Sequence, residues 1–345
     1  MISFKQKISG QLAIVIFSST LFGANIAITA PLPVKMMVSA GDEVVIKGFR
    51  GNVEYVVEPS AHDVSVLMSQ PSRASAQKYH DEWQFSFKRE GSAILAVIDG
   101  PSSKQIWNEV MVSNGIPEFD LRVTGPSLPL HINWNEGRIT VINLKKELHI
   151  TALKSNIVVM KSEGDLSIAD QEGSVLVRDH KGEVKIDSYL AKVDVKNIEG
   201  KLDIQNFTGE SHIEDIAGDT NLSSFKGATK VAGLKGRLEF KNGNSPLRIE
   251  KFEGELRGRS AQGSVYAEVR GDANVRLESA EGAVNLRLPA SGAWVNLGTE
   301  EGSLFVPNFL KLTRLSSQQI RTGRLRGSGG GSMFVRTTAG DIHLK

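Results

Sequence analysis

The 345-residue chain contains no cysteine. That excludes a disulfide framework and a lipidated amino-terminal anchor, and it is compatible with export. Aromatic residues make up only 6% of the chain and the formal net charge is only +2. Removing Lys5 and Lys7 leaves 39 basic and 39 acidic residues, a balance that argues against generic nucleic-acid binding. Catalytic motifs are missing as well. The seven histidines form no HExxH pair, and no serine sits in a nucleophile elbow. The glycine-rich run 327–332 lacks the following Lys–Ser/Thr and the helix of a phosphate loop, and reads as a flexible turn. A long uncharged stretch occurs from Leu12 to about Ala30, behind Lys5 and Lys7. Residues 1–30 therefore read as a secretory signal, with Ala27 and Ala30 as candidate cleavage positions. The expected location is the periplasm or the cell surface. Membrane contact is expected only through this segment, if it stays uncleaved.

What the chain does have is glycine in register. Fifteen nine-residue units run without insertion from Gly137 to about Arg270. Position 1 is Gly in 11 of the 15, position 3 is Ile, Leu or Val in 12, and position 5 is Val, Ile, Leu or Phe in 13. Positions 2 and 4 are mostly polar. Such alternation marks a strand with one buried face, and the Asn, Asp, Ser and Gly that follow suit a turn. Asn197, Asn206, Asp215 and Asn242 share position 7, where a positive φ is tolerated.

The larger period is 18. Tyr189, Phe207 and Phe225 form one series at position 8, and Ile198, Ile216, Leu234 and Phe252 form the other. Gly164, Gly182, Gly200, Gly218, Gly236 and Gly254 are unbroken at position 1, while the alternate series admits Ser155, Ala191 and Ser245. This phasing predicts an all-β, single-stranded parallel β-helix, or β-solenoid, with about 18 residues and two strands per coil. One corner is expected to be filled by stacked aromatics and the other by aliphatics. At about 4.8 Å per coil the regular part is roughly 35 Å long. An antiparallel meander or sandwich is the alternative that the nine-residue period alone would allow.

Residues 31–136 are β-rich but out of register and read as an amino-terminal cap on the solenoid of 137–345. Expected strands there are Glu43–Lys47, Val53–Val57, Val64–Met68, Trp83–Lys88, Ile94–Ile98, Glu109–Ser113 and Asp120–Val123; Ser72–Asp81 is a short helix or loop. The repeat is regular over 137–270 and looser over 271–345, and no evident cap follows the last unit, Gly340–Leu344.

The signal segment, the early VIKGFRGNVEYVV, the GxLxI array and the ending GSGGGSMFVRTTAGDIHLK resemble the bacterial putative-adhesin family of β-strand-repeat proteins. That family is a domain of unknown function related to the head domains of auto-transporter adhesins. The resemblance implies an exported, right-handed β-helix-like rod with no catalytic residues and no cofactor.

Four surface features carry what chemistry there is. The units lack the GGxGxD loop of calcium-binding β-rolls. Glu147, Asp165 and Glu183 form an acidic row at position 2, near His149 and Ser167, which a cation or a basic partner group would bridge; a solvated surface row is the plainer reading. Val158 and Leu176 are apolar at an outward position, so a partner or the amino-terminal region is expected to cover them. Arg321, Arg324 and Arg326, with Arg314 upstream, are a possible partner surface for an anionic group. His212, Glu214, Asp215 and Asp219 are the nearest approach to the acid cluster of a polysaccharide-active β-helix enzyme, but the 18-residue frame does not bring them to one face. The reading is a non-catalytic, adhesin-like binding or scaffold module of the cell envelope, whose partner is an envelope glycan or another envelope protein. The alternatives are a polysaccharide-active enzyme and a self-assembling filament, stacked end to end through an open terminal edge.

Overall fold

The computed structural model describes residues 4–7, 33–69, 83–112, 116–289, 292–308, 313–314, 319–324 and 330–345. Most of the proposed signal, the Ser72–Asp81 segment and Arg326 lie outside the described residues. No helix among the described residues is long and apolar enough to cross a membrane. The chain divides into two compact units, Met1–Ser155 and Asn156–Lys345.

In the second unit, the expected parallel pairing is present residue for residue. One ladder runs Leu166↔Val184↔Leu202↔Thr220↔Leu238↔Leu256. The other runs Val175↔Val193↔Ser211↔Thr229↔Leu247. Every step is 18 residues, so this stretch is a parallel, solenoid-like stack of strands. The alternating residues of each strand point inward and are buried, from Ile168 and Val177 to Leu256 and Val265.

The turns explain the repeat. Residues 143, 161, 179, 197, 215, 233 and 251 all have φ between 52° and 67°. They are 18 apart, and glycine appears only at Gly233. The half-coil series behaves differently. Asn206 and Asn242 do not take a positive φ; they are buried and bond the turn instead. Asn206 Nδ2 donates to the Ala191 and Gly209 carbonyls, at 3.0 Å each. Asn242 Nδ2 donates to the Ser245 carbonyl at 2.8 Å. Ser260 and Ser279 repeat the same bond to the carbonyls of Gly263 and Gly282 at 2.6 and 2.7 Å. A short polar side chain three residues before the next unit thus closes each of these turns, so that buried backbone groups find partners.

The aromatic series is stacked, with ring centroids 5.0 Å (Tyr189–Phe207) and 4.9 Å (Phe207–Phe225) apart. It does not fill an interior corner as expected. The three rings are exposed, whereas Ile198, Ile216, Leu234 and Phe252 are buried.

Past Val265 the order of coils departs from the order of the chain. One extra residue shifts the register to Leu256↔Val275 and Val265↔Val284. The strand Gly331–Thr337 then pairs with Asn274–Ser279 on one side and Ala293–Thr299 on the other. Likewise Ile342 pairs with both Val284 and Leu304. The carboxy-terminal coil is therefore inserted between its two predecessors. The strand Gln319–Arg324 runs antiparallel along Ala293–Thr299. The expectation of an open edge at Gly340–Leu344 is corrected: Ile342 and His343 in that unit are paired on both sides.

The first unit shows the same insertion. Glu43–Val57 is one continuous strand whose Val44 pairs with both Ile94 and Leu130, and whose Val53 pairs with both Leu121 and Ile139. The strands Gln84–Glu90 and Asp63–Ser69 lie antiparallel on Ala93–Asp99 and Asp120–Gly125. The expected strand at Glu109–Ser113 is instead the end of a helix, Lys104–Val112. Trp107 and the buried Val110 lie three residues apart on one helix face, and the Trp107 ring packs on Phe49 and Trp83 at 5.2 and 5.6 Å.

Candidate binding surface

The outward side chains of one ladder in the second unit form a grid. Successive rows are Arg237, Glu239, Lys241; then Glu255, Arg257, Arg259; then Asn274, Arg276, Glu278; then Ser332, Phe334, Arg336; then Trp294, Asn296, Gly298. Across the first four of these rows, from Glu239 and Lys241 to Ser332 and Phe334, lies a groove of about 690 Å³. A second, of about 460 Å³, shares Arg259 and Glu278 with it and reaches Arg336 and Glu300.

Guanidinium groups outnumber the carboxylates that hold them. Glu255 receives Arg237 at 3.1 Å and Arg257 at 2.5 Å. Glu278 receives Arg276 at 3.0 Å and Arg259 at 3.1 Å. The hydrogen bond from Arg276, and then the nearby charge of Arg259, hold the Glu278 carboxyl below its ordinary value against the opposing effect of desolvation. The four arginines remain more than half exposed, so their mutual stabilisation is small and much of their donor capacity faces outward. Arg336 is different. It stacks 4.1 Å from the Phe334 ring centre and donates to the Asn296 carbonyl at 3.1 Å and to Asn296 Oδ1 at 2.8 Å. Arg276 sits 5.1 Å from the same ring. Phe334 is thus held between two guanidiniums. Ser332 donates to Asn274 Oδ1 at 2.9 Å, and Trp294, beside Ser332 in register, is 54% exposed.

Most of the residues singled out from sequence fall elsewhere. Glu147 and His149 are hydrogen-bonded in the first unit, where the His149 ring stacks on His131 at 4.9 Å. In the second unit Glu183 is bridged by Lys201 at 2.7 Å. Of the three acids of the expected row, Glu183 therefore has a lysine counter-charge and Glu147 a hydrogen-bond partner. Among the described residues no three His, Asp or Glu side chains are grouped to hold a metal. Val158 and Leu176 are half-buried on an outer face. His212 and Glu214 meet at 3.6 Å, but Glu214 is taken by Lys196 at 3.1 Å. Asp215 is in a turn at φ 56°, and Asp219 accepts the Arg237 backbone N–H on the other ladder at 3.4 Å. These acids do not converge. The backbone places Arg324 opposite Trp294 and Arg321 opposite Leu297, at the end of the arginine grid, and Arg314 opposite Arg321. Sequence reading missed the grid itself. Its signal was present as alternating Arg257, Arg259 and Arg276, but the register shift at 270 hid their alignment.

A family model, Toastrack DUF4097, matches residues 129–345. The chain belongs to the Toastrack family. The Toastrack match spans the arginine grid and every coil from Leu130 onward. A crystal structure of a putative cell adhesion protein from Clostridium sporogenes is 11% identical to this Toastrack chain, covering 91% of it and 99% of the other chain, with a TM-score of 0.18. No curated protein matches the sequence.

Proposed function

We propose that this Toastrack protein is an exported, non-catalytic, adhesin-like binding module of the cell envelope, which recognises its partner on the outer face of the coil stack. The observation that carries this reading is the pair of adjoining grooves on one rigid parallel sheet. They are lined by outward arginines and glutamates, with Phe334 and Trp294 beside them. A sheet repeat of this kind holds side chains at a fixed spacing of about 4.8 Å from coil to coil, which suits a repetitive ligand. The acids nearest to an enzyme's are held by Lys196 or divided between ladder and turn, where they cannot act together.

The test is retention of the full-length chain on isolated envelope fractions and on a glycan panel, with reducing ends assayed in parallel. Retention without new reducing ends is the expected result. Release of product would overturn the non-catalytic reading. Absence of retention on every fraction would overturn the binding reading.

A further inference from the structure

We infer that the arginine-lined groove takes a linear anionic glycan whose sugar rings carry carboxylates. This rests on the binding-module reading and names its ligand class. Three observations converge on it. First, Arg237, Arg257, Arg259 and Arg276 share only two carboxylates, those of Glu255 and Glu278. With Lys241 and Arg336 added, the first four rows of the grid carry six positive charges against the three carboxylates of Glu239, Glu255 and Glu278, and guanidinium forks match carboxylates in the plane. Second, Arg257 and Arg276 stand opposite one another on successive coils, at the coil spacing of about 4.8 Å, comparable to one sugar ring, so two successive anionic groups of one chain meet two successive coils. Third, the row Asn274, Ser332, Trp294 runs beside them. It offers an amide, a hydroxyl and an exposed indole, the groups that hold hydroxyl-bearing rings by hydrogen bonds and by stacking.

The same features disfavour other polyanions. Glu255 and Glu278 lie among the arginines lining the groove, so a ligand has to set its anionic groups on the guanidiniums and neutral groups beside the two carboxylates, which a chain of spaced uronate rings can do and a dense anionic surface cannot. A bilayer surface also cannot enter a concave groove of about 690 Å³.

The experiment measures binding of the full-length chain to polygalacturonate, to a neutral glucan and to phosphatidylglycerol vesicles. Each is measured at low salt and at about 0.5 M salt, where charge pairing is screened. The variants are Arg257→Gln with Arg276→Gln, the charge-keeping pair Arg257→Lys with Arg276→Lys, Trp294→Ala, and, as a control, Arg248→Gln, a residue between Lys230 and Tyr266 on the other ladder and outside both grooves. We expect salt-sensitive binding to polygalacturonate. The glutamine pair should lose roughly tenfold or more, the size of one or two charge-assisted hydrogen bonds. The lysine pair should lose less, Trp294→Ala several-fold, and Arg248→Gln nothing. Should the glutamine pair fail to fold, the lysine pair and Trp294→Ala carry the test. Equal binding to the neutral glucan, binding to vesicles alone, or indifference to the groove variants overturns the inference. If envelope fractions retain the chain while polygalacturonate does not, this inference fails and the binding-module reading stands. If nothing retains it, both fail.

Discussion

At the residue scale, glycine is required where coils touch through their backbones. Gly182, Gly200 and Gly218 have φ of 133°, 145° and 151°, and a Cβ on Gly200 would lie 2.2 Å from the Gly182 carbonyl oxygen. Gly200→Ala is expected to lower unfolding free energy by roughly 1–3 kcal/mol, read by denaturant titration. Gly330→Ala, with open space around its Cβ, should change little. His180 offers a second residue-scale prediction. It is buried in the column that continues as Ile198, Ile216 and Leu234, with its Nδ1 2.8 Å from Ser162 Oγ. Burial pushes its pKa below the ordinary histidine value. The unfolded chain therefore binds the proton more readily. The stability that this neutral ring contributes is intact above the ordinary value, about 6.5, and is lost as pH falls through it. Melting temperature should fall between pH 7.5 and 5 in the parent and fall less in Ser162→Ala/His180→Ile. An equal slope in both would remove His180 as the cause.

At the scale of the element, strands were legible in the sequence because each obeys a local rule. Inward positions are apolar, outward positions polar, and turns carry Gly or a short polar side chain. The 18-residue phasing of glycine also gave the pairing partner of each strand from Leu166 to Leu256. The rule is silent where a local pattern has two solutions. The aromatic series Tyr189, Phe207, Phe225 shares the buried column's spacing, yet it lies outside, because the half-coil turns are closed internally by Asn206 and Asn242 and leave no inward position there. The β-branched Val110 and Val112 suggest a strand at Glu109–Ser113, but Trp107 anchors Lys104–Val112 as a helix. The arginine grid was invisible for a different reason. Its rows join residues 18, 19 and then 58 positions apart, with Trp294 reached only through Ser332.

At the scale of the whole molecule, both units place a coil out of chain order: Glu43–Val57 in the first, Gly331–Leu344 in the second. Sequential elements usually lie side by side, and no periodicity argument predicts the exception. It makes a distinct prediction. Deleting residues 331–345 should do more than trim an end, because it withdraws the layer joining Asn274–Ser279 to Ala293–Thr299. Limited proteolysis of the deletion is expected to cut rapidly within 290–330, with loss of ordered sheet signal there. A deletion as protease-resistant as the parent would show that the two flanking coils close on one another.

The inserted coil also constrains the order of assembly. A chain emerging amino terminus first has residues 274–305 available well before Gly331. Two neighbouring coils with complementary edges then stand ready to pair with one another, and that premature pairing has to be avoided or undone before the last coil can enter. Ordinary repeat stacks propagate one layer at a time. Here the final layer is a keystone, set only after both sides of its slot exist, so its docking is expected to be a slow, late step that the rest of the stack does not share.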